Sequence, residues 1–219
     1  MALILKKNQS TDLVSDKGTP VLNLTIGANW GMISKTGDSK AAGLFNRLAS
    51  AIGAGETVKT AVDLDLSMVF VNGKGEMVDM CYYGNKRLFS GAVMHSGDDL
   101  VGDDEQNDDD NELIKFDGMK VPFDVSTVYV VLNSFRHQMF DEIPYIGISF
   151  YEGLVNKGSK GLRFAEARVE KEKEAAGKEC CILAKIVRTG KGWNVTPLFD
   201  YTSDTNLRDL ARTAIRKHG

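Results

Sequence analysis

Cysteine and proline are scarce in this 219-residue chain, with three of the one and four of the other, and long apolar runs are missing altogether. The odd cysteine count and the vicinal pair Cys180–Cys181 exclude a disulfide framework, and a reducing cytoplasm is the expected location. No segment approaches the roughly 18 apolar residues that a membrane-crossing helix requires. The first apolar run, Ala2 to Leu5 ahead of Lys6 and Lys7, is too short for a signal peptide. Neither a Gly-rich phosphate loop of the Gly-x-x-x-x-Gly-Lys-Ser/Thr type nor a Gly-x-Ser-x-Gly elbow occurs. His95, His137, His218 and the cysteines show no zinc-ligand spacing. A net charge of −3 points to no particular partner, and nucleic acid is not expected as one.

What is present reads mainly as short strands between turns. Val21–Gly27, Ala61–Val71, Met77–Tyr83, Glu112–Phe116, Thr127–Asn133, Ile146–Tyr151, Leu162–Val169, Cys180–Thr189 and Trp193–Tyr201 carry strand patterning. Asn72-Gly73-Lys74-Gly75 and Gly190-Lys191-Gly192 close two hairpins. This pattern predicts an all-β chain, a two-sheet β-sandwich forming one domain over residues 1–219. Two helices are expected to interrupt it. Leu44, Phe45, Leu48 and Ile52 have helical spacing, which places a helical insertion in an N-terminal loop over 33–60, covering one end of the sandwich or docking a partner. A C-terminal helix is expected over 203–218, capped by Ser203 or Asp204, with Leu207, Leu210, Ala211, Ala214 and Ile215 on one stripe and Arg208, Arg212 and Arg216 on a solvated one.

Charge of one sign is also missing locally. No Lys or Arg occurs from 88 to 114, while Asp98, Asp99, Asp103, Asp104, Glu105, Asp108, Asp109, Asp110 and Glu112 fall within that span. Two carboxylates about 4 Å apart near a protein surface repel by roughly 4 kcal/mol. Such a run either stays solvated and disordered or is ordered by cations. Gly97 and Gly102 place turns inside it, strands anchor both ends, and its side chains are hard oxygen donors, which favours a divalent cation with six to eight oxygen ligands. In Asp63-Leu64-Asp65-Leu66-Ser67 the two acids and the serine share one face of a strand, neighbours about 6.6 Å apart. The positions do not fit an EF-hand, which needs Gly at position 6; Met68 or Asp103 stands there instead. Many carboxylates on a flexible loop favour calcium over magnesium.

Asp63-Leu64-Asp65-Leu66-Ser67, Asn72-Gly73-Lys74-Gly75, Tyr83-Gly84-Asn85, His95-Ser96-Gly97-Asp98-Asp99-Leu100-Val101-Gly102, Asp110-Asn111-Glu112 and Gly190-Lys191-Gly192-Trp193 together resemble the TerD family, associated with bacterial tellurium resistance and stress response. The resemblance covers about residues 20–200. It implies a two-sheet sandwich whose acidic loops hold clustered calcium ions, two or more. Asp63, Asp65, Asp98, Asp99, Asp110 and Glu112 match the family's acids, and Asn85 matches a recurrent Asn that is a ligand or a turn former. Asp103, Asp104 and Asp108 are further candidate ligands that align less uniquely. The expected function is that of a calcium-binding stress-response protein, a metal-ordered scaffold or sensor without catalytic residues. Its partners would be other stress-response proteins, and membrane association would come only through a partner. The alternative is a metal-dependent enzyme acting on a phosphorylated or nucleotide substrate.

Overall fold

The computed structural model describes residues 2–15, 17–36, 57–107, 109–159 and 161–219. Fifteen strands run in chain order: β1 Leu3–Ile4, β2 Thr11–Asp12, β3 Asn23–Trp30, β4 Ile33–Thr36, β5 Thr57–Thr60, β6 Leu64–Asn72, β7 Met77–Cys81, β8 Arg87–Leu88, β9 Val93–His95, β10 Glu112–Asp117, β11 Val125–Ser134, β12 Tyr145–Glu152, β13 Leu162–Glu170, β14 Cys180–Thr189 and β15 Gly192–Thr202. Among the described residues the one α-helix, α1, spans Leu207–His218. A seven-stranded sheet in the order β1-β13-β12-β3-β10-β9-β8 faces a six-stranded sheet in the order β2-β15-β14-β11-β6-β7. The pairings are antiparallel except for β1 with β13.

Alternation decides which side chains fill the space between the sheets. Leu64, Leu66, Met68 and Phe70 of β6 meet Leu24, Ile26, Ala28 and Trp30 of β3 and Ile114 and Phe116 of β10 there. Val69 and Val71 point the other way and, with Tyr129, Val131, Cys180 and Ile182, lie under α1. Cys180 and Cys181, adjacent on β14, therefore face opposite sides as alternation requires, one under the helix and one between the sheets, and both are buried.

Two sequence expectations are corrected. The helix begins at Leu207 rather than 203, and its cap is Asn206, whose side chain accepts from the Asp209 N–H at 3.0 Å. Asp204 is already committed: its carboxylate accepts from the Thr202 hydroxyl and from Thr213 inside the helix, fastening α1 to the end of β15. The flanks of the expected 33–60 helical insertion are strands, β4 and β5 paired from Ile33↔Thr60 to Thr36↔Thr57. The helix expected within it lies outside the described residues. The arginine stripe holds, since Arg208, Arg212 and Arg216 are exposed while Leu210, Ala211 and Ala214 are buried.

Helix α1 shields one face of the six-stranded sheet chiefly through Leu210. Leu210→Ala is expected to lower the free energy of unfolding by roughly 2–4 kcal/mol in a urea titration, whereas Arg212→Ala should change it by less than about 0.5 kcal/mol.

Candidate metal centre

β7 pairs with β6 only as far as Cys81 opposite Met68, which leaves Asp63 and the Leu64–Ser67 stretch of β6 without a neighbouring strand on that side. Two buried side chains from the opposing sheet take the place of a strand. Glu112 Oε2 accepts the Leu66 N–H at 2.8 Å, and His95 Nε2 lies 3.0 Å from the Leu66 carbonyl oxygen. His95 Nδ1 accepts from the Gly97 N–H at 3.0 Å, so the ring proton sits on Nε2, which donates to Leu66 and lies 3.4 Å from Glu112. The other Glu112 oxygen accepts the Asp99 N–H at 2.9 Å. One carboxylate thus ties the start of β10, the middle of β6 and the acidic loop together. Its burial raises its pKa, opposed by the hydrogen bonds from His95 and from the Leu66 and Asp99 N–H groups.

Gly97, at φ +111°, turns the chain directly after this anchor. The turn delivers Asp98 to β6. One oxygen from each of Asp63, Asp65 and Asp98 lies within 4.8 Å of the others, with Asp63 and Asp65 buried and Asp98 exposed. Burial raises the pKa of Asp63 against the pull of Arg136, whose Nε lies 3.1 Å from Asp63 Oδ2. Asp65 is pushed up to about 7 by burial first and then by the charge of Glu112, and Asn133 Nδ2, donating to its Oδ2 at 2.9 Å, resists the shift. Carboxylates held this close in a partly dry setting repel one another, and Arg136 offsets part of that charge.

The remaining nominated residues are placed elsewhere. Asp99 folds its own loop, its Oδ1 accepting from the Val101 and Gly102 N–H groups while Lys157 donates to Oδ2 at 3.0 Å. Burial pushes Asp99 up, but Lys157 and the two amides outweigh it and hold the carboxyl below its usual range. Asp103 accepts from Asn111 and from the Tyr145 hydroxyl. Asp104 pairs with Lys59 at 2.6 Å. Asp110 is buried against Gly27, where a Cβ would lie 2.2 Å from its Oδ2, and it accepts from Asn29 and the Tyr151 hydroxyl. Asn85 is a turn former, its side chain donating to the Met80 carbonyl and its backbone pairing with Tyr82. Asp108 lies outside the described residues. Glu112 is a brace between sheets and not a member of the carboxylate cluster.

Several residues of this region carried no signal in the sequence. Asn133 and Arg136 meet β6 only because β11 pairs with it at Asn133↔Asp65. Asn111 accepts the Trp30 N–H at 2.8 Å, and the Trp30 indole donates to the Val62 carbonyl. Gly102, at φ +77°, packs on that ring so closely that a Cβ would lie 2.8 Å from it. Tyr82, Tyr83, Phe135 and the start of α1 line a 290 Å³ pocket into which Asp65 and Asn133 also face.

A protein-family model described as TerD domain matches residues 1–213. Stress response protein SCP2 of Bacillus subtilis (strain 168) is 29% identical over 216 residues, covering 96% of this chain and 98% of the relative. Tellurium resistance protein TerZ of Serratia marcescens is 26% identical over 194 residues, covering 89% and 87%. Among solved structures, the fold is shared with the unknown function protein SAV2460 at a TM-score of 0.58 and 12% identity, covering 87% of this chain and 95% of that one. It is shared also with SCO6318 of Streptomyces coelicolor A3(2), described as a homologue of the telluride resistance protein TerD, at a TM-score of 0.55 and 14% identity, covering 84% and 92%. With a sandwich of this topology, an acidic cluster on β6 and a family match over nearly its whole length, the chain belongs to the TerD family.

Proposed function

We propose that this chain is a calcium-binding, cytoplasmic stress-response protein of the tellurium-resistance type, a scaffold or sensor rather than an enzyme, in which calcium held by Asp63, Asp65 and Asp98 orders the acidic loop into a surface for other stress-response proteins. One observation carries the metal reading. Among the described residues four buried side-chain atoms have no hydrogen-bond partner, and Asp63 Oδ1, Ser67 Oγ and Asn133 Oδ1 are three of them. All three are oxygens, on the open stretch of β6 or directly across from it on β11. A buried acceptor left unsatisfied costs about 1–3 kcal/mol. Asp63 Oδ1 and Asn133 Oδ1, beside the three crowded carboxylates, add to a donor set suited to a hard cation that takes six to eight oxygens, whereas Ser67 lies about 13 Å along the strand from Asp63 and outside it. The chemistry such an ion supplies is positive charge that offsets the repulsion and fixes the loop against the sheet.

The proposal is narrower than the expectation of two or more ions, because one such cluster exists among the described residues. The enzyme alternative gains no observation in its favour, since Asp99, Asp103 and Asp110 are committed to structural hydrogen bonds. Curated relatives named for stress response and tellurium resistance support the physiological half of the reading.

Calcium at about 100 times its dissociation constant should stabilise the protein by about 2.7 kcal/mol, read as a rise in melting temperature that chelator reverses. Asp98→Ala should remove that increment and leave the metal-free melting temperature nearly unchanged; a full calcium shift in this variant would refute the cluster. Glu112→Ala should instead lower stability by roughly 2–4 kcal/mol with or without calcium, because two N–H groups lose their acceptor.

The pH dependence has a definite sign. Asp65 in the folded state holds its proton to about pH 7, while the unfolded chain releases it near 3.8. Between these values the folded state binds more protons, so Asp65 makes the metal-free protein less stable as pH rises. Asp65→Asn should therefore raise metal-free stability at pH 8 relative to pH 5, in paired urea titrations at the two values. Calcium must displace the Asp65 proton, so calorimetric affinity should fall as pH drops below about 7, by up to about tenfold per unit.

A further inference from the structure

The 290 Å³ pocket on the open side of β6 joins aromatic rings to a buried carboxylate. Tyr82 and Tyr83 reach it from the turn after β7, and Phe135 from the loop after β11. Asn206 and Leu207 at the start of α1 supply a further wall, and Asp65 and Asn133, paired in register, line it from the sheet.

The walls are held by bonds of their own. Tyr82 and Asn85 exchange backbone hydrogen bonds, and the Asn85 side chain donates to the Met80 carbonyl. A Cβ on Gly84 would lie 2.6 Å from the Tyr82 ring, so the turn needs glycine there. The Phe135 N–H donates to the Asp63 carbonyl at 3.0 Å, and Ser134 Oγ accepts the Gln138 N–H at 2.8 Å. The rings meet edge to face. Tyr82 and Tyr83 have centroids 5.7 Å apart at 89°, and Tyr83 and Phe135 6.2 Å apart at 84°. Rings set at right angles around one space form walls rather than a stack. Tyr83 is 38% exposed and Phe135 58%, so neither belongs to the core.

The carboxylate in this pocket has no cation of its own. Asp65 is 2% exposed, and its Oδ2 accepts from the neutral Asn133 amide at 2.9 Å. Arg136 pairs with Asp63, and His137, which also lines the pocket, lies 2.6 Å from Glu179. Among the described residues Asp65 enters no ion pair and its Oδ1 accepts no hydrogen bond. Glu112, Asp98 and Asp63 add like charge around it. A positive occupant relieves both the repulsion and the missing donor. Aromatic faces attract a cation within about 6 Å of a ring centroid, the more so when it is desolvated. The free carboxylate oxygen decides the type of cation. A primary ammonium has three N–H donors and forms a charge-assisted bond there, whereas a quaternary ammonium has none. The small volume suits a short aliphatic chain between the rings.

We propose that this pocket binds a primary alkylammonium ion, its nitrogen donating to Asp65 while Tyr83 and Phe135 enclose its methylenes and face its charge. A free aliphatic diamine and a lysine side chain present this same chemistry. The rings take no part in the metal centre, and the site needs no metal. Calcium and the amine would contend for Asp65, so the amine is tested without calcium.

The test is isothermal titration calorimetry of the full chain in EDTA near pH 8, where Asp65 is ionised. Pentylamine should bind, and pentanol and pentyltrimethylammonium, which keep the chain and change the head group, should bind at least about tenfold more weakly. Asp65→Asn should weaken pentylamine by about tenfold or more. Phe135→Leu, which keeps an apolar side chain and removes the aromatic face, should weaken it by about fivefold. That variant should keep the wild-type melting temperature and the wild-type response to calcium, which separates this site from the metal reading. Tighter binding of cadaverine than of Nα-acetyl-lysine methylamide assigns the site to a free diamine, and the reverse order assigns it to a lysine side chain. Wild-type protein that takes up no pentylamine overturns the proposal. So does pentanol or pentyltrimethylammonium binding as tightly as the amine, or either variant binding it like the wild type.

Discussion

A buried carboxylate holds the two sheets together where strand pairing stops. β6 outruns β7 by several residues, and an open strand edge inside a sandwich leaves backbone groups with neither water nor a ladder. Glu112 supplies the acceptor for Leu66 N–H and His95 the donor for its carbonyl. The same two residues fix the start of the acidic loop, through Asp99 N–H on Glu112 and Gly97 N–H on His95. The position of Asp98 beside Asp63 and Asp65 is thus a consequence of how one strand edge is satisfied.

That constraint also divides the acidic run by task. Asp99, Asp103 and Asp110 are consumed by amides, phenol hydroxyls and a lysine, and these bonds shape the loop around Trp30 and Gly102. Their neighbours Asp63, Asp65 and Asp98 keep lone pairs to spare. High carboxylate density therefore reflects two opposite solutions to the same electrostatic problem. One is neutralisation by donors of the chain; the other is a close cluster of three acids offset only in part, by Arg136 at Asp63 and Asn133 at Asp65.

The two ends of the molecule are correspondingly unlike. The Asp63 end gathers close carboxylates, whereas the other end exposes Phe123 and Met119 on a loop stiffened by Arg188. Strand direction links them. β6 begins beside the cluster and finishes opposite Val125, directly after the 118–124 segment, so the sheet separates these two surfaces.

Much of the fold was legible in the sequence, because burial on alternate residues writes a period of two into each strand: Leu64, Leu66 and Met68 announced the core face, and Asp63 and Asp65 the other. The acidic loop and its turn glycines were equally visible, since charge density and left-handed backbone positions are local properties. The start of α1 was misread because Asp204 looks like a cap in isolation and is instead spent on Thr202 and Thr213. Which acids cluster, why Glu112 is a brace, and that Asn133 and Arg136 stand beside Asp65 and Asp63 were decided by strand register and by the packing of one sheet on the other. Those are relations between residues dozens of positions apart, and composition and local periodicity do not encode the pairing that brings them together.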